Sequence, residues 1–177
     1  MSKPQEFMVP LYRLELVRER NITYQSVDRV EAAAEVFHAM LDSAPVEKLA
    51  VIHCNLGMQM IGAEIVAIGS MEMVGAAMAD LFKGAIRNNA ARIWMAHNHV
   101  DGNVKASIPD FGYTLRAAEA SVLLGIGLYD HLVIAPGAYY SVFEHKEDYH
   151  NAVVQLEREA LLRTLKDQFG ASLPSKF

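Results

Sequence analysis

The sequence predicts a single α/β domain, a mixed and mostly antiparallel β-sheet flanked by helices. Three observations carry this. Short apolar stretches of strand length are interspersed with longer stretches of helical periodicity. Turn-forming segments join some of the strands as hairpins, so strict strand–helix–strand alternation is absent. The 177 residues and a hydrophobic share of 52% suit one compact domain, residues 1–177, with a sizeable core.

Taken in order, "MVPLYRLELVRER" alternates apolar and polar residues through Tyr12, Leu14 and Leu16, the pattern of a half-buried strand. A helix follows in "SVDRVEAAAEVFHAMLDS", with Val30, Ala33, Ala34, Phe37, Met40 and Leu41 on one face and Ser26 as its N-cap. "EKLAVIHC" reads as a buried strand, "NLG" as a turn and "MQMIGAEIVAI" as the strand returning beside it. "MEMVGAAMADLFKGAIRNN" is helical, burying Val74, Met78, Leu81, Phe82 and Ala85, and its methionines from Met71 to Met78 are core. "ARIWMA" is a short apolar strand running into a histidine-bearing loop. "IPDFGYTLRAAEASVLLG" is helical apart from Gly112, and "LYDHLVIA" and "YYSVF" are strands joined by "PGA". An amphipathic helix over about 146–169 closes the chain, with Val154, Leu161 and Leu165 on its apolar side.

Composition narrows the function classes. A net charge of −5 supplies no electrostatic footprint for nucleic acid, although a basic face inside an acidic total stays open. The single cysteine, Cys54, excludes an intrachain disulfide and fits a reducing compartment. The N-terminus lacks the apolar core of a signal peptide, and no run approaches the ~18 apolar residues of a membrane span. A cytoplasmic protein without membrane association is the expectation.

The chemistry concentrates in "HNHVDGNVKASIPD". Residues two apart on an extended strand point the same way, so His97 and His99 can converge while Asn98 faces away. Asp110 joins them if the loop folds back, and Gly102 and Asn103 suit the turn this requires. Two imidazoles and a carboxylate are three protein ligands, leaving a fourth tetrahedral position for water, the arrangement of a catalytic zinc site. The same residues also read as a helix start, with Ser107 and Asp110 forming a capping box and Pro109 at the second helical position. The readings are compatible, because a helix N-terminus would fix Asp110 where the histidines end.

The spacing His-x-His, seven residues, Ser, two residues, Asp fits the JAMM pattern without a gap. With "AARIWMAHNH", "LLGIGLYDHLVI" and "YYSVFE" around it, the chain resembles the RadC-like branch of the JAB/MPN metallopeptidase-fold family from about residue 11 to 144. The helix-hairpin-helix segment that often precedes this domain in RadC proteins is not expected within these residues. The resemblance implies one zinc ion per chain held by His97, His99 and Asp110. It also implies a glutamate on an early strand that relays protons, and matching "EKLAVIHCNLG" selects Glu47. By spacing alone Glu64 and Asp101 would rival it, and Glu47 could be only a solvated strand end. In the family Ser107 would polarise the carbonyl or hold its oxyanion. Asp130 and His131 match the family too and read as structural or as support for the ligands. His53 and Cys54 face opposite sides of their strand and read as packing residues; His38, His145 and His150 lack a partner pattern. Where RadC-like loops commonly carry Pro-Ser after the second histidine, Val100 and Asp101 stand here, and Ala106 replaces a proline before the serine.

The implied activity is zinc-dependent hydrolysis of a peptide or isopeptide bond, with a protein or peptide substrate. Two alternatives belong to other classes: a metal-binding module in a DNA-repair or mobile-element setting, and a metal-dependent nuclease. A nuclease needs clustered cations against phosphate; the candidates are Arg13, Arg18, Arg20 and Arg29. An intact Glu47 favours the enzyme, since a module needs no proton relay.

Overall fold

The computed structural model describes residues 26–69 and 76–169, with side chains to Ala160 and at Arg163. Four helices flank a five-stranded mixed sheet. In chain order the elements are α1 (Val30–Leu41), β1 (Lys48–Cys54), β2 (Met60–Ile68), α2 (Met78–Arg87), β3 (Arg92–Asn98), α3 (Ile108–Leu124), β4 (Gly127–Ala135), β5 (Ala138–Ser141) and α4 (Lys146–Phe169). The sheet order is β2-β1-β3-β4-β5. Only β3 and β4 run parallel, joined by α3; the other neighbours are antiparallel. The α/β class and the mixed, mostly antiparallel sheet are as the sequence predicts.

Strand alternation divides the core into layers. Ala50, Ile52, Cys54, Trp94, Ala96, Leu132 and Ile134 face α1, where Ala33, Ala34, Phe37 and Leu41 cover them. Leu49, Val51, Ile93 and Met95 face α2 and α3, against Leu81, Phe82, Tyr113 and Ala117. Farther along, Val133 and Phe111 pack with Ala152 of α4. The layer beneath α3 is where His97 emerges, since it lies two residues beyond Met95 on the same face.

Several elements differ from expectation. Arg29, in an extended conformation, occupies the N-cap of α1 without a side-chain bond, so Ser26 lies three residues too early to cap. The left-handed residue between β1 and β2 is Met58 (φ 58°), and the side chain of Asn55 closes this turn by accepting from Gln59 N–H. Helix α2 begins only at Met78 because Ala77 is extended; Met71 and Val74 lie outside the described residues, as does the Tyr12–Leu16 stretch. Helix α3 continues through Gly112, which lets α4 approach: a Cβ there would stand 3.4 Å from Leu156. Val154 of α4 is exposed, and its buried face runs instead through Tyr149, Ala152 and Leu156. β5 ends at Ser141, although Val142 N–H still reaches the His131 carbonyl of β4 (3.0 Å) and Phe143 N–H bonds the Asp130 carboxylate (3.0 Å).

Candidate metal centre

The site lies at the carboxyl ends of β3 and β4. His97 is the penultimate residue of β3, paired with Leu49 of β1 and Val133 of β4. His99 follows the strand and stays in register through its N–H bond to the carbonyl of Ile134 (3.0 Å). The chain then turns at Gly102 (φ 80°), with the Asp101 carboxylate accepting from Asn103 N–H (2.9 Å). This turn returns the chain to the start of α3, as Gly102 and Asn103 suggest. Asp101 thus organises the loop.

The capping box at α3 is present, with Pro109 in the first turn. The Asp110 Oδ2 atom accepts from Ser107 N–H (2.7 Å) and from the Ser107 hydroxyl (2.5 Å). Oδ1 is thereby left facing the histidines, 3.3 Å from His97 Nε2, while His99 Nε2 is 3.7 Å from Oδ2. The two Nε2 atoms are 2.9 Å apart. A tetrahedral centre with bonds of 2.0–2.1 Å has edges of about 3.3 Å, so the donor spacing fits a small divalent ion. These three residues form the one potential metal-holding group among the described residues.

Tautomers strengthen the case. His99 Nδ1 bonds the carbonyl of Asn103 (2.7 Å), which only a ring N–H can do. His97 Nδ1 meets His131 Nε2 (2.8 Å), and His131 Nδ1 meets the Thr114 hydroxyl (2.6 Å). That hydroxyl donates to the Asp110 carbonyl (2.8 Å), so it must accept from His131. The chain therefore runs one way, and the proton of His97 lies on Nδ1. Both Nε2 lone pairs and a carboxylate oxygen then face one another in a buried place. Three acceptors cannot remain so close without a cation among them, a proton or a metal ion.

The protonation equilibria carry the same tension. Burial pushes the His97 imidazole down to about 4, opposed by Asp110. Burial likewise takes His131 down to about 3. His99 is raised, chiefly by its hydrogen bond to Asp110. Burial acts to raise Asp110, but His99, His97 and the bonds from Ser107 outweigh it and hold the carboxyl well below its ordinary range.

Glu47 immediately precedes β1 and is half-buried beside the site, its Oε2 buried and without a hydrogen-bond partner. Burial raises its pKa; the charge of His99 opposes this, and Asp110 and Asp101 add to it. Its backbone is held on both sides by Asn98: Oδ1 accepts from Lys48 N–H (2.7 Å) and Nδ2 donates to the Val46 carbonyl (3.2 Å). The carbonyl of Glu47 itself accepts from Gly69 N–H (3.0 Å).

Thr114 and the clamping role of Asn98 escaped the sequence reading. The signal for Thr114 is that it lies one helical turn after Asp110; what Asn98 faces follows only from the pairing of β3 with β1. Asp130 is structural, as expected, its buried carboxylate accepting from His131 N–H, Phe143 N–H and the Ser141 hydroxyl. Cys54 is buried core. His53 is more than packing. It contacts Asn88 (2.8 Å) and lies 3.3 Å from Glu64, which removes Glu64 from the metal centre. His38 pairs with Asp42 and His145 with the Ser141 carbonyl, both apart from the site.

Comparison with known proteins agrees with this geometry. Residues 27–148 match the family model described as RadC-like JAB domain. The chain is 35% identical over 96 residues to a UPF0758 protein of Carboxydothermus hydrogenoformans, covering 54% of this chain and 42% of that protein. It is 31% identical over 118 residues to one from Thermosynechococcus vestitus (67% and 47%). It is also 31% identical over 133 residues to one from Chlorobium chlorochromatii (73% and 60%). The matched part spans about half the length of these relatives. No described helix is long and apolar enough to cross a membrane.

Proposed function

The chain belongs to the RadC-like JAB domain family, and from that premise we propose that it is a zinc-dependent hydrolase of JAMM type acting on a peptide or isopeptide bond. The observation that carries this reading is the set of three facing acceptors, His97 Nε2, His99 Nε2 and Asp110 Oδ1, with a buried and unpartnered Glu47 oxygen beside them. A bound zinc ion supplies Lewis-acid polarisation of the carbonyl and lowers the pKa of water. Glu47 accepts the proton of the attacking water and returns it to the leaving amine. Its raised pKa brings it toward the range where a carboxylate can do both. Ser107 holds Asp110 in place, and by turning its hydroxyl from Asp110 to the substrate it would donate to the developing oxyanion. Protein or peptide substrates suit this chemistry, and a net charge of −5 gives nucleic acid no comparable support. A reducing, cytoplasmic setting accords with the single buried cysteine.

Glu47→Gln tests the assignment, because it removes the proton acceptor and touches no metal ligand. The variant is expected to keep its zinc and to lose amide hydrolysis by at least ~10²-fold in kcat. Full turnover by the zinc-loaded variant, on any substrate the wild type cleaves, would remove Glu47 from the mechanism.

A further inference from the structure

Asn98 stands between the two histidines, and strand alternation turns its side chain away from their Nε2 atoms. The register of β1 against β3 ends at Leu49 and His97. One residue farther, the Asn98 amide takes the place of the next rung: Oδ1 accepts from Lys48 N–H (2.7 Å) and Nδ2 donates to the Val46 carbonyl (3.2 Å). These two main-chain groups flank Glu47 and point to the same edge of an extended chain, so one planar amide can meet both. From the opposite edge Gly69 N–H bonds the Glu47 carbonyl (3.0 Å). The backbone around Glu47 is thereby held from both sides.

The glutamate needs such a hold. Its buried Oε2 has no hydrogen-bond partner, so no bond at that atom fixes the carboxylate, and its place is inherited from the backbone. Glu47 lies two residues before Leu49, on the strand face that His97 shares. Asn98 itself is 5% exposed with both ends of its amide engaged, so it is turned neither to the facing acceptors nor to a substrate. Chemistry selects the residue type. A carboxylate of the same size would accept from Lys48 N–H but set an oxygen against the Val46 carbonyl. An aliphatic side chain would leave both main-chain groups without this partner.

We infer that Asn98 is a positioning residue for Glu47: by tying residues 46–48 to the segment that carries both histidines, it sets the distance between the relay carboxylate and the metal centre. The inference rests on the hydrolase reading for what Glu47 does, and on the hydrogen bonds alone for what places it. Residues 97–99 hold two of the facing acceptors and the clamp in consecutive positions, so acceptors and relay residue keep one spacing. A misplacement of about 1 Å can cost ~10²-fold in rate. The clamp therefore acts on turnover and leaves metal binding alone.

The test is NMR of the full chain loaded with cobalt(II), a paramagnetic ion that broadens a signal more steeply the nearer the nucleus lies. Glutamate carboxyl carbons are labelled, and Glu47→Gln identifies the Glu47 signal by its loss. Wild type is expected to bind about one cobalt per chain and to show that signal strongly broadened. Asn98→Ala should bind as much cobalt and lose most of the broadening. Asn98→Asp, equal in size, keeps the Lys48 bond and breaks the one to Val46, so it should lose part of the broadening even if the alanine variant folds poorly. Asn88→Leu, which removes the amide beside His53, should leave the Glu47 signal as it is. A Glu47 signal unchanged in both Asn98 variants, or altered as much in Asn88→Leu, would overturn the positioning role. Wild type that binds no cobalt would overturn the metal centre and the inference with it. A displaced Glu47 in the Asn98 variants, together with full turnover by Glu47→Gln, would uphold the positioning role and overturn the hydrolase mechanism.

Discussion

Two histidine–carboxylate pairs lie on the same side of the sheet, and they have the same separation. His97 Nε2 is 3.3 Å from Asp110 Oδ1, and His53 Nε2 is 3.3 Å from Glu64 Oε1. Their surroundings differ in one respect. Asn88 Nδ2 donates to His53 Nδ1, so the proton of His53 lies on Nε2 and faces the Glu64 carboxylate. A ring N–H faces a carboxylate, and the pair is complementary although poorly aligned for a hydrogen bond. At the other end His131 and Asn103 take the Nδ1 protons of both histidines, so only acceptors converge with Asp110. Distance alone therefore does not make a metal centre. The second ring nitrogen decides, because its partner determines whether the first presents a proton or a lone pair.

The comparison can be broken most severely at the partners. His131→Leu removes the acceptor that holds the His97 proton on Nδ1 and should weaken zinc binding by about 10–100-fold. His131→Gln, whose amide oxygen can accept the same proton, should recover part of it. Asn88→Leu, the corresponding change at the other pair, should leave zinc affinity unchanged. Equal loss in Asn88→Leu and His131→Leu, measured by competition with a chelating indicator, would mean that the variants act through stability alone.

Packing separates the two pairs next. The His53–Glu64 pair sits under Gly84 of α2, where a Cβ would overlap the Glu64 carboxylate and stand 2.7 Å from His53 Cε1. Glu64 is partly exposed and can swing outward, but the buried His53 ring cannot. Gly84→Ala should cost about 1–3 kcal/mol in chemical denaturation without altering zinc content. A neutral or stabilising effect would show that the helix rises over the ring at no cost.

The smallest expected effect is on pH dependence. In chelator-treated protein His97 and His131 have folded pKa values of about 4 and about 3, below the ordinary value of 6.5. The unfolded chain binds more protons between those values, so stability is complete above about pH 6.5 and falls as pH drops toward 4. His99 is shifted the other way: its contribution grows as pH falls toward and below 6.5, so it opposes the loss at the upper end of this window and adds nothing further near pH 4.5. Asp110 is lowered below 3.8, and its contribution is lost only at more acidic pH. Thermal unfolding should show a Tm lower by roughly 5 °C at pH 4.5 than at pH 7. His131→Leu should flatten that slope, and an unchanged slope would mean that His131 is not buried neutral.

The three residues that could hold a metal ion were legible because each rests on a local rule. Alternation brings His97 and His99 together, and helix capping anchors Asp110 beside Ser107. The relay from His97 through His131 to Thr114 was not legible, because it depends on β3 and β4 pairing across 34 residues of sequence. Asn98 was legible only as facing away; what it faces depends on the register of β1 against β3. Errors of boundary had local causes of their own. An extended Ala77 delays α2, a left-handed Met58 shortens β2, and Gly112 serves helix packing where it read as a helix break. Glu47 was selected over Glu64 by resemblance alone; in the structure Glu64 lies 3.3 Å from His53 instead of beside His97 and His99.

The central claim is that the facing acceptors His97, His99 and Asp110 hold a divalent ion. Its most direct test is zinc stoichiometry by mass spectrometry of metals, on full-length protein purified without chelator, beside Asp110→Ala and Glu64→Ala. Wild type and Glu64→Ala are expected to carry about one zinc per chain, and Asp110→Ala to carry none while keeping its circular dichroism spectrum. Stoichiometric zinc in folded Asp110→Ala, or its loss in Glu64→Ala alone, would contradict the account.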